Sequence, residues 1–226
     1  SKDDADKILA SINGAEFKVI SVRKRVTKKQ PAPPFITSTL QQEASRRLEF
    51  PAKRTMKAAQ ELYEGVEIAG MGAVGLITYM RTDSLRISDE ARSAANRYIK
   101  EKYGDDYLPP IPRIFKSKSN AQDAHEAIRP SMPELTPERV KASLSSDQFR
   151  LYKLIWERFI ASQMANALLD TMSADIQANN CVFRASGFSV KFDGYTVLYE
   201  EAKDSDSEEN NKELPPLEEG GVCRVK

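Results

Sequence analysis

The densest run of chemistry-bearing side chains is Thr78-Tyr79-Met80-Arg81-Thr82-Asp83-Ser84, set between glycines 70, 72 and 75 and a helix signal at Ser88. Core packing has no need of Tyr79, Arg81, Thr82, Asp83 and Ser84 together. A tyrosine can attack a phosphodiester, but a phenol ordinarily titrates at about pH 10. A neighbouring cation must favour the phenolate and the pentacovalent transition state. In extended backbone Arg81 shares a face with Tyr79, and its guanidinium can grip a phosphate through two hydrogen bonds. The competing reading is a tyrosine buried by its ring and a surface loop of capping residues. Composition alone leaves both open.

His125 is the only histidine. Alone it fits a surface or satisfied core position as well as a site. The pattern predicts a short helix over 120–128 that would set Asp123, Glu126 and Arg129 around it as orienting partners. So placed, it could donate to a phosphate or shuttle a proton. His125 and Glu126 are adjacent and cannot both face one ion from a helix, so no metal site is assigned. A third signal is basic: Arg23, Lys24, Arg25, Lys28 and Lys29, then Arg46, Arg47, Lys53, Arg54 and Lys57. Each group reads equally as a solvated face. Together, beside a proline-rich crossing, they suit a phosphate backbone and salt-dependent binding.

Lys plus Arg number 34 against 33 Asp plus Glu, so the net charge of +1 points to no partner. The balance is uneven, however. Glu200 to Glu219 holds nine acidic residues and two lysines, which leaves 32 basic against 24 acidic elsewhere. A near-neutral total thus hides a basic body. With 226 residues, 40% hydrophobic and 30% charged, the chain is not a disordered tail, a collagen-like fibre or a disulfide-stapled miniprotein. Cys181 and Cys223 lack a CxxC spacing and read as small buried hydrophobes. No apolar run approaches the ~18–20 residues of a membrane span, and no signal peptide is seen. Ser1 in place of an initiator Met, and a strand-like ending, suggest a piece of a longer polypeptide.

The elements that must position these residues change character along the chain. A short helix over 1–11 precedes a strand over 16–26. Pro31, Pro33 and Pro34 then mark a rigid crossing. From Phe35 to about Ala167 the period is mostly helical. Helices are expected after the caps Thr37 and Ser38, over 53–64 with Met56, Ala59, Leu62 and Tyr63 inward, from Ser88 to about Lys102, after Thr136-Pro137, and over 147–168. Ala69 to Leu76 reads as a flexible glycine loop. Beyond Asp170 the period is two, as in antiparallel strands. The fold class is therefore multidomain α+β. An antiparallel β domain formed by both chain ends (1–34 and 169–226) is interrupted by a mostly helical domain (35–168).

Gly75-Leu76-Ile77-Thr78-Tyr79-Met80-Arg81-Thr82-Asp83-Ser84 resembles the active-site segment of the type IA DNA topoisomerases, the bacterial topoisomerase I branch above all. Ala124-His125-Glu126-Ala127-Ile128-Arg129-Pro130 resembles that family's second signature. Pro34-Phe35-Ile36-Thr37-Ser38-Thr39-Leu40-Gln41-Gln42-Glu43-Ala44 is similar to the opening of its tyrosine-bearing domain, and Leu214 to Gly220 is also similar. The resemblance implies a β-arch domain, serving as gate and hinge, and a helical domain carrying the nucleophile. It implies that Tyr79 cleaves single-stranded or underwound DNA and stays joined to a 5′-phosphate, so that another strand passes before religation, without ATP. Arg81 would steady the phosphate, and His125 would assist binding or proton transfer. Thr82, Asp83, Glu126 and Arg129 would support the segment. Of the basic groups, Arg23, Lys24, Arg25, Lys28, Lys29, Arg46 and Arg47 are the candidate DNA backbone contacts.

The family also uses Mg²⁺, held by an acidic DxD-type cluster in a Toprim domain. That domain and the fourth core domain have no counterpart in this sequence. The acidic runs Asp204 to Glu209 and Glu218-Glu219 lie in weakly patterned sequence. The expectation is therefore no cofactor in this segment, no relaxation by it alone, and the missing domains of the same polypeptide as its partners. Neither a membrane nor an obligate protein partner is expected, and the location would be the bacterial cytoplasm, with the nucleoid. The alternative is a non-catalytic nucleic-acid-binding or architectural module.

Overall fold

The computed structural model of the chain describes residues 1–115, 125–201 and 213–223. Asp123 and the rest of the helix expected before His125, and the acidic run at 204–209, lie outside the described residues. The described residues form two compact units. One comprises Ser1–Lys29, Ala167–Phe192 and the described part of Lys203–Lys226; the other comprises the described parts of Gln30–Asn166 and Asp193–Ala202.

The first unit is an antiparallel sheet built from both chain ends. Helix α1 (Lys2–Ile12) is capped by Ser1, whose Oγ accepts from Asp4 N at 3.3 Å. Strand β1 (Phe17–Lys29) runs past the expected end at Val26. It pairs on one side with β4 (Ala167–Ala178), which pairs in turn with β5 (Cys181–Phe192). On its other side β1 pairs with the short β6 (Val222–Cys223), giving the order β5-β4-β1-β6. The β4–β5 link is Asn179-Asn180. Asn179 takes φ +51°, the left-handed conformation that asparagine tolerates in two-residue hairpin turns.

Strand alternation gives this sheet two unlike faces. A bulge at Ile20 sets the register. Val19, Val22, Ala174, Ile176 and Ala185 share one face, where Val19 and Ala174 are fully buried. The neighbouring chain at 219–221 fastens to β1 through Val19 N to Gly221 O and Gly220 N to Val19 O, both 2.8 Å. The opposite face carries serine, threonine and arginine. Cys181 and Cys223 are half-buried free thiols, not the sealed hydrophobes expected, because both lie on the outer strands.

In the second unit, α2 (Thr37–Leu48) and α3 (Ala52–Glu64) pack on α6 (Ser146–Gln163). The core of α6 is Leu151, Tyr152, Ile155, Trp156, Phe159 and Ile160. Its two polar aromatics are satisfied: Tyr152 donates to Leu135 O at 2.6 Å and Trp156 to Pro133 O at 2.9 Å. The helix stops at Gln163, earlier than periodicity predicts, because Met164 turns extended and the chain enters β4. Helix α4 (Asp89–Tyr103) begins at its expected cap, Ser88, whose Oγ accepts from Ala91 N at 3.3 Å. The short α5 (Pro137–Val140) follows Thr136.

Two chain crossings are anchored inside this unit. Arg158, almost fully buried, donates to Pro33 O (2.6 Å), Tyr199 Oη (3.3 Å) and Glu201 Oε1 (2.8 Å). Tyr199 donates to the buried Glu43 at 3.0 Å. Burial pushes the Tyr195 and Tyr199 phenols up to about 12. At Gly194, with φ +51°, a Cβ would meet Asn166 O at 2.5 Å and Ala165 O at 2.7 Å, so the returning chain lies directly against the outgoing one.

Candidate functional site

The expected flexible loop at 69–76 is instead part of a hairpin, β2 (Val66–Ile68) with β3 (Gly72–Val74). It returns the chain to the end of α3, where Leu76 N donates to Leu62 O at 2.7 Å. A Cβ on Gly75 would sit 2.8 Å from Tyr63 O, so this glycine serves close backbone approach. The chain then leaves in extended form through Tyr79.

The described part of the helix expected over 120–128 is not helical: residues 125–127 lie in no regular element and Ile128 in an isolated β-bridge. Long-range partners decide this. Ile128 bridges Phe35 and Pro130 bridges Ile77. Ile128 N donates to Phe35 O (2.8 Å), Ala127 N to Arg86 O (2.9 Å) and Thr78 N to Arg129 O (2.9 Å). Thr78 Oγ1 donates to Ala127 O at 2.7 Å and accepts from Arg129 N at 3.0 Å. Three segments far apart in sequence are thus laced together: the start of α2, the Tyr79 segment and the His125 segment.

Within the Tyr79 segment exposure alternates. Tyr79, Arg81 and Asp83 are exposed; Met80, Thr82 and Ser84 are buried. The buried side is held by Thr37. Its Oγ1 accepts from Thr82 N at 2.9 Å, and its single proton reaches Met80 O (2.8 Å) and Thr82 O (3.0 Å). Thr37 was expected to cap α2; that helix starts at Thr37 without a side-chain cap. Thr82 Oγ1 accepts from Ser84 N at 3.0 Å, a local turn that shapes the segment.

The Tyr79 ring is 36% exposed and lies between two others. His125 is 5.6 Å away between centroids, tilted by 31°, and Tyr63 is 5.4 Å away, edge to face. Tyr63 was expected inward on α3 but is 41% exposed; the buried face is Thr55, Ala58, Ala59 and Leu62. Its placement beside Tyr79 depends on the hairpin, which periodicity did not reveal. Next to the rings is an open cleft of about 480 Å³ lined by Ile36, Thr37, Ser38, Arg81, Thr82, Asp83 and His125. The N-terminal turn of α2 therefore joins Arg81 and His125 around one space. A helix N-terminus and a guanidinium favour an anion there, opposed by the exposed Asp83 carboxylate on the same cleft.

Other candidates are placed elsewhere. The Glu126 carboxylate is taken by Arg129, at 2.8 Å from Nε and 2.5 Å from Nη2, and both are nearly buried. Arg129 also donates to Pro130 O at 2.9 Å. This pair braces the extended turn instead of orienting His125. Arg46 and Arg47 both reach Glu43, at 3.6 and 3.2 Å, and Arg47 covers the Tyr199 ring at 4.4 Å. Arg23, Lys24, Arg25, Lys28 and Lys29 lie on β1, in the other unit. Among the described residues no group of three or more His, Cys, Asp or Glu is placed to hold a metal ion. No helix among them is long and apolar enough to cross a membrane.

Comparison with known proteins bears on the family and the fold. A family model described as DNA topoisomerase matches residues 1–226. Full-length topoisomerase I from Thermotoga maritima, in a monoclinic crystal form, is similar in structure with a TM-score of 0.82 and 37% identity. The match covers 98% of this chain and 35% of that one.

Proposed function

Because the chain belongs to the bacterial type IA DNA topoisomerases, we propose that it is the segment that cuts and rejoins one DNA strand. Tyr79 Oη attacks a backbone phosphorus. A Tyr79–phosphate ester forms at the 5′ side as the bond to the 3′ oxygen breaks. The phenol gives up its proton and the 3′ oxygen gains one. One phosphodiester is exchanged for another, so reversal needs no ATP. The observation that carries this reading is the exposed Tyr79 ring against His125, beside a cleft shared by Arg81 and the start of α2.

The proposed roles follow from charge and position. Arg81 and the first turn of α2 take the phosphate oxygens and meet the charge that grows in the transition state. His125 packs on the nucleophile and assists binding or proton transfer. Thr37 and the Glu126–Arg129 pair hold the two segments. The DNA is single-stranded or underwound. Among the described residues there is no acidic cluster of the kind that Mg²⁺ would need.

This chain spans 35% of the matched structure's length, and we propose that alone it does not relax supercoiled DNA. Relaxation by the purified 226-residue chain in Mg²⁺ buffer, lost in Tyr79→Phe, would overturn that. In the complete polypeptide Tyr79→Phe should abolish covalent trapping of DNA while largely sparing binding. Trapping that persists would refute the role of Tyr79. A wild-type polypeptide that binds but never forms an adduct would favour a non-catalytic binding module.

A further inference from the structure

The β1 cations do not act as one patch. Register and alternation put Arg23, Arg25 and Lys29 on the sheet face with Ser21 and Thr27, while Lys24 and Lys28 belong to the face of Val22 and Val26. On the Arg23 face the cross-strand rows are Ser21–Asp175–Arg184, Arg23–Ser173–Ser186 and Arg25–Thr171–Phe188. Guanidinium, hydroxyl and one half-buried aromatic ring replace the apolar residues of the other face. The side chains of Arg23 and Arg184 are 67% and 64% exposed. Among the described residues only Asp175 opposes them: Arg184 reaches it at 2.7 Å and Arg23 at 3.9 Å. Arg25 has no carboxylate partner among the described residues.

A polar sheet face has a plain explanation, contact with water. Water does not call for this composition. Lysine and glutamate serve solvent equally, whereas arginine, hydroxyls and an accessible phenylalanine match a nucleic acid strand. Arg23 and Arg25 stand two residues apart on one strand, about 6.8 Å, a step of the order of that between successive phosphates. Phe188 lies in the same row as Arg25, where a base could stack.

We infer that this face of the sheet is a second, sequence-independent contact surface for single-stranded DNA, with Arg23, Arg25 and Arg184 on the phosphates and Phe188 under a base. It is built from residues of the other unit than the Tyr79 cleft and requires no cleavage. Asp175 limits it by holding two of the guanidiniums.

The test is fluorescence anisotropy of a labelled thymidine oligonucleotide titrated with the whole chain, over a salt series. The double variant Arg25→Ala/Arg184→Ala should weaken binding about tenfold or more at low salt, and lower the slope of log K against log salt by about 1.4. Phe188→Ala should weaken binding about fivefold or more at every salt concentration. Asp175→Asn should tighten binding. The matched control Lys24→Ala/Lys28→Ala removes equal charge from the other face and should cost clearly less. Thermal melting verifies that each variant is folded. Equal losses from the two double variants, an unchanged affinity in the Arg25/Arg184 or Phe188 variant, or tighter binding of the matching duplex would each overturn the inference. Adduct formation is not read in this assay, so its failure leaves the Tyr79 reading to its own test.

Discussion

Thr37→Val removes one hydroxyl that holds the proposed nucleophile segment and changes little else in shape. In the native chain that oxygen accepts from Thr82 N at 2.9 Å and offers its proton to Met80 O at 2.8 Å and Thr82 O at 3.0 Å. Thr82 O keeps a second donor, Thr37 N, at 3.0 Å. The variant therefore leaves Thr82 N–H and Met80 C=O without partners. A buried polar group left unpaired costs about 1–3 kcal/mol. Thr37 is half-buried and water can offset part of the loss, so the two together should weaken the local structure by about 1–3 kcal/mol. At 1.4 kcal/mol per factor of ten, exchange of the Thr82 amide with solvent should quicken about 5- to 150-fold. Native-state hydrogen exchange reads this residue by residue. Amides of the β4–β5 pair, in the other unit, should not change. An unaltered Thr82 exchange rate would refute the claim that Thr37 holds the segment. In the complete enzyme the same variant should slow adduct formation more than it weakens DNA binding.

Gly194→Ala should destabilise the helical unit by about 2–4 kcal/mol, seen as a lower urea midpoint, because the new Cβ would strike backbone atoms that cannot turn aside. Stability should also fall in alkali. Burial holds Tyr195 and Tyr199 neutral up to about pH 12, whereas unfolded phenols ionise near pH 10. Their contribution is complete below pH ~10 and is lost as pH rises through ~12, with a slope of up to about 1.4 kcal/mol per pH unit for each ring. Unfolding measured across that window should show a shallower slope in Tyr199→Phe. Glu126→Gln should disturb the extended turn through Arg129, lowering thermal stability while leaving the pH profile of DNA binding near neutrality unchanged.

What could be read from the sequence was local. Ser88 announces α4 through its cap, the α6 stripe from Tyr152 to Ile160 announces a core, and the period-two pattern after Asp170 announces β4 and β5. The misreadings share one cause, in partners distant along the chain. His125 to Ile128 carries a helical pattern, but hydrogen bonds to Phe35 and Arg86 draw it straight. Thr37 is a sound cap by type, yet its hydroxyl is used by residues more than forty positions away. Tyr63 sits beside Tyr79 only because the β2–β3 hairpin folds the chain back on α3. Alternation alone separates Arg23, Arg25 and Lys29 from Lys24 and Lys28, but which set faces away from Val19 depends on the bulge at Ile20, which shifts the register by one residue.

The role of Tyr79 is tested most directly by locating the covalent bond. This chain can replace the matching segment of the full-length relative, with folding verified by thermal melting, and be incubated with a single-stranded oligonucleotide labelled at its 3′ end. After denaturation and proteolysis, mass spectrometry should find nucleotide on the Tyr79 phenolic oxygen, with the 3′ label retained on protein and no adduct in Tyr79→Phe. An adduct on another residue, or one that survives Tyr79→Phe, would contradict the account.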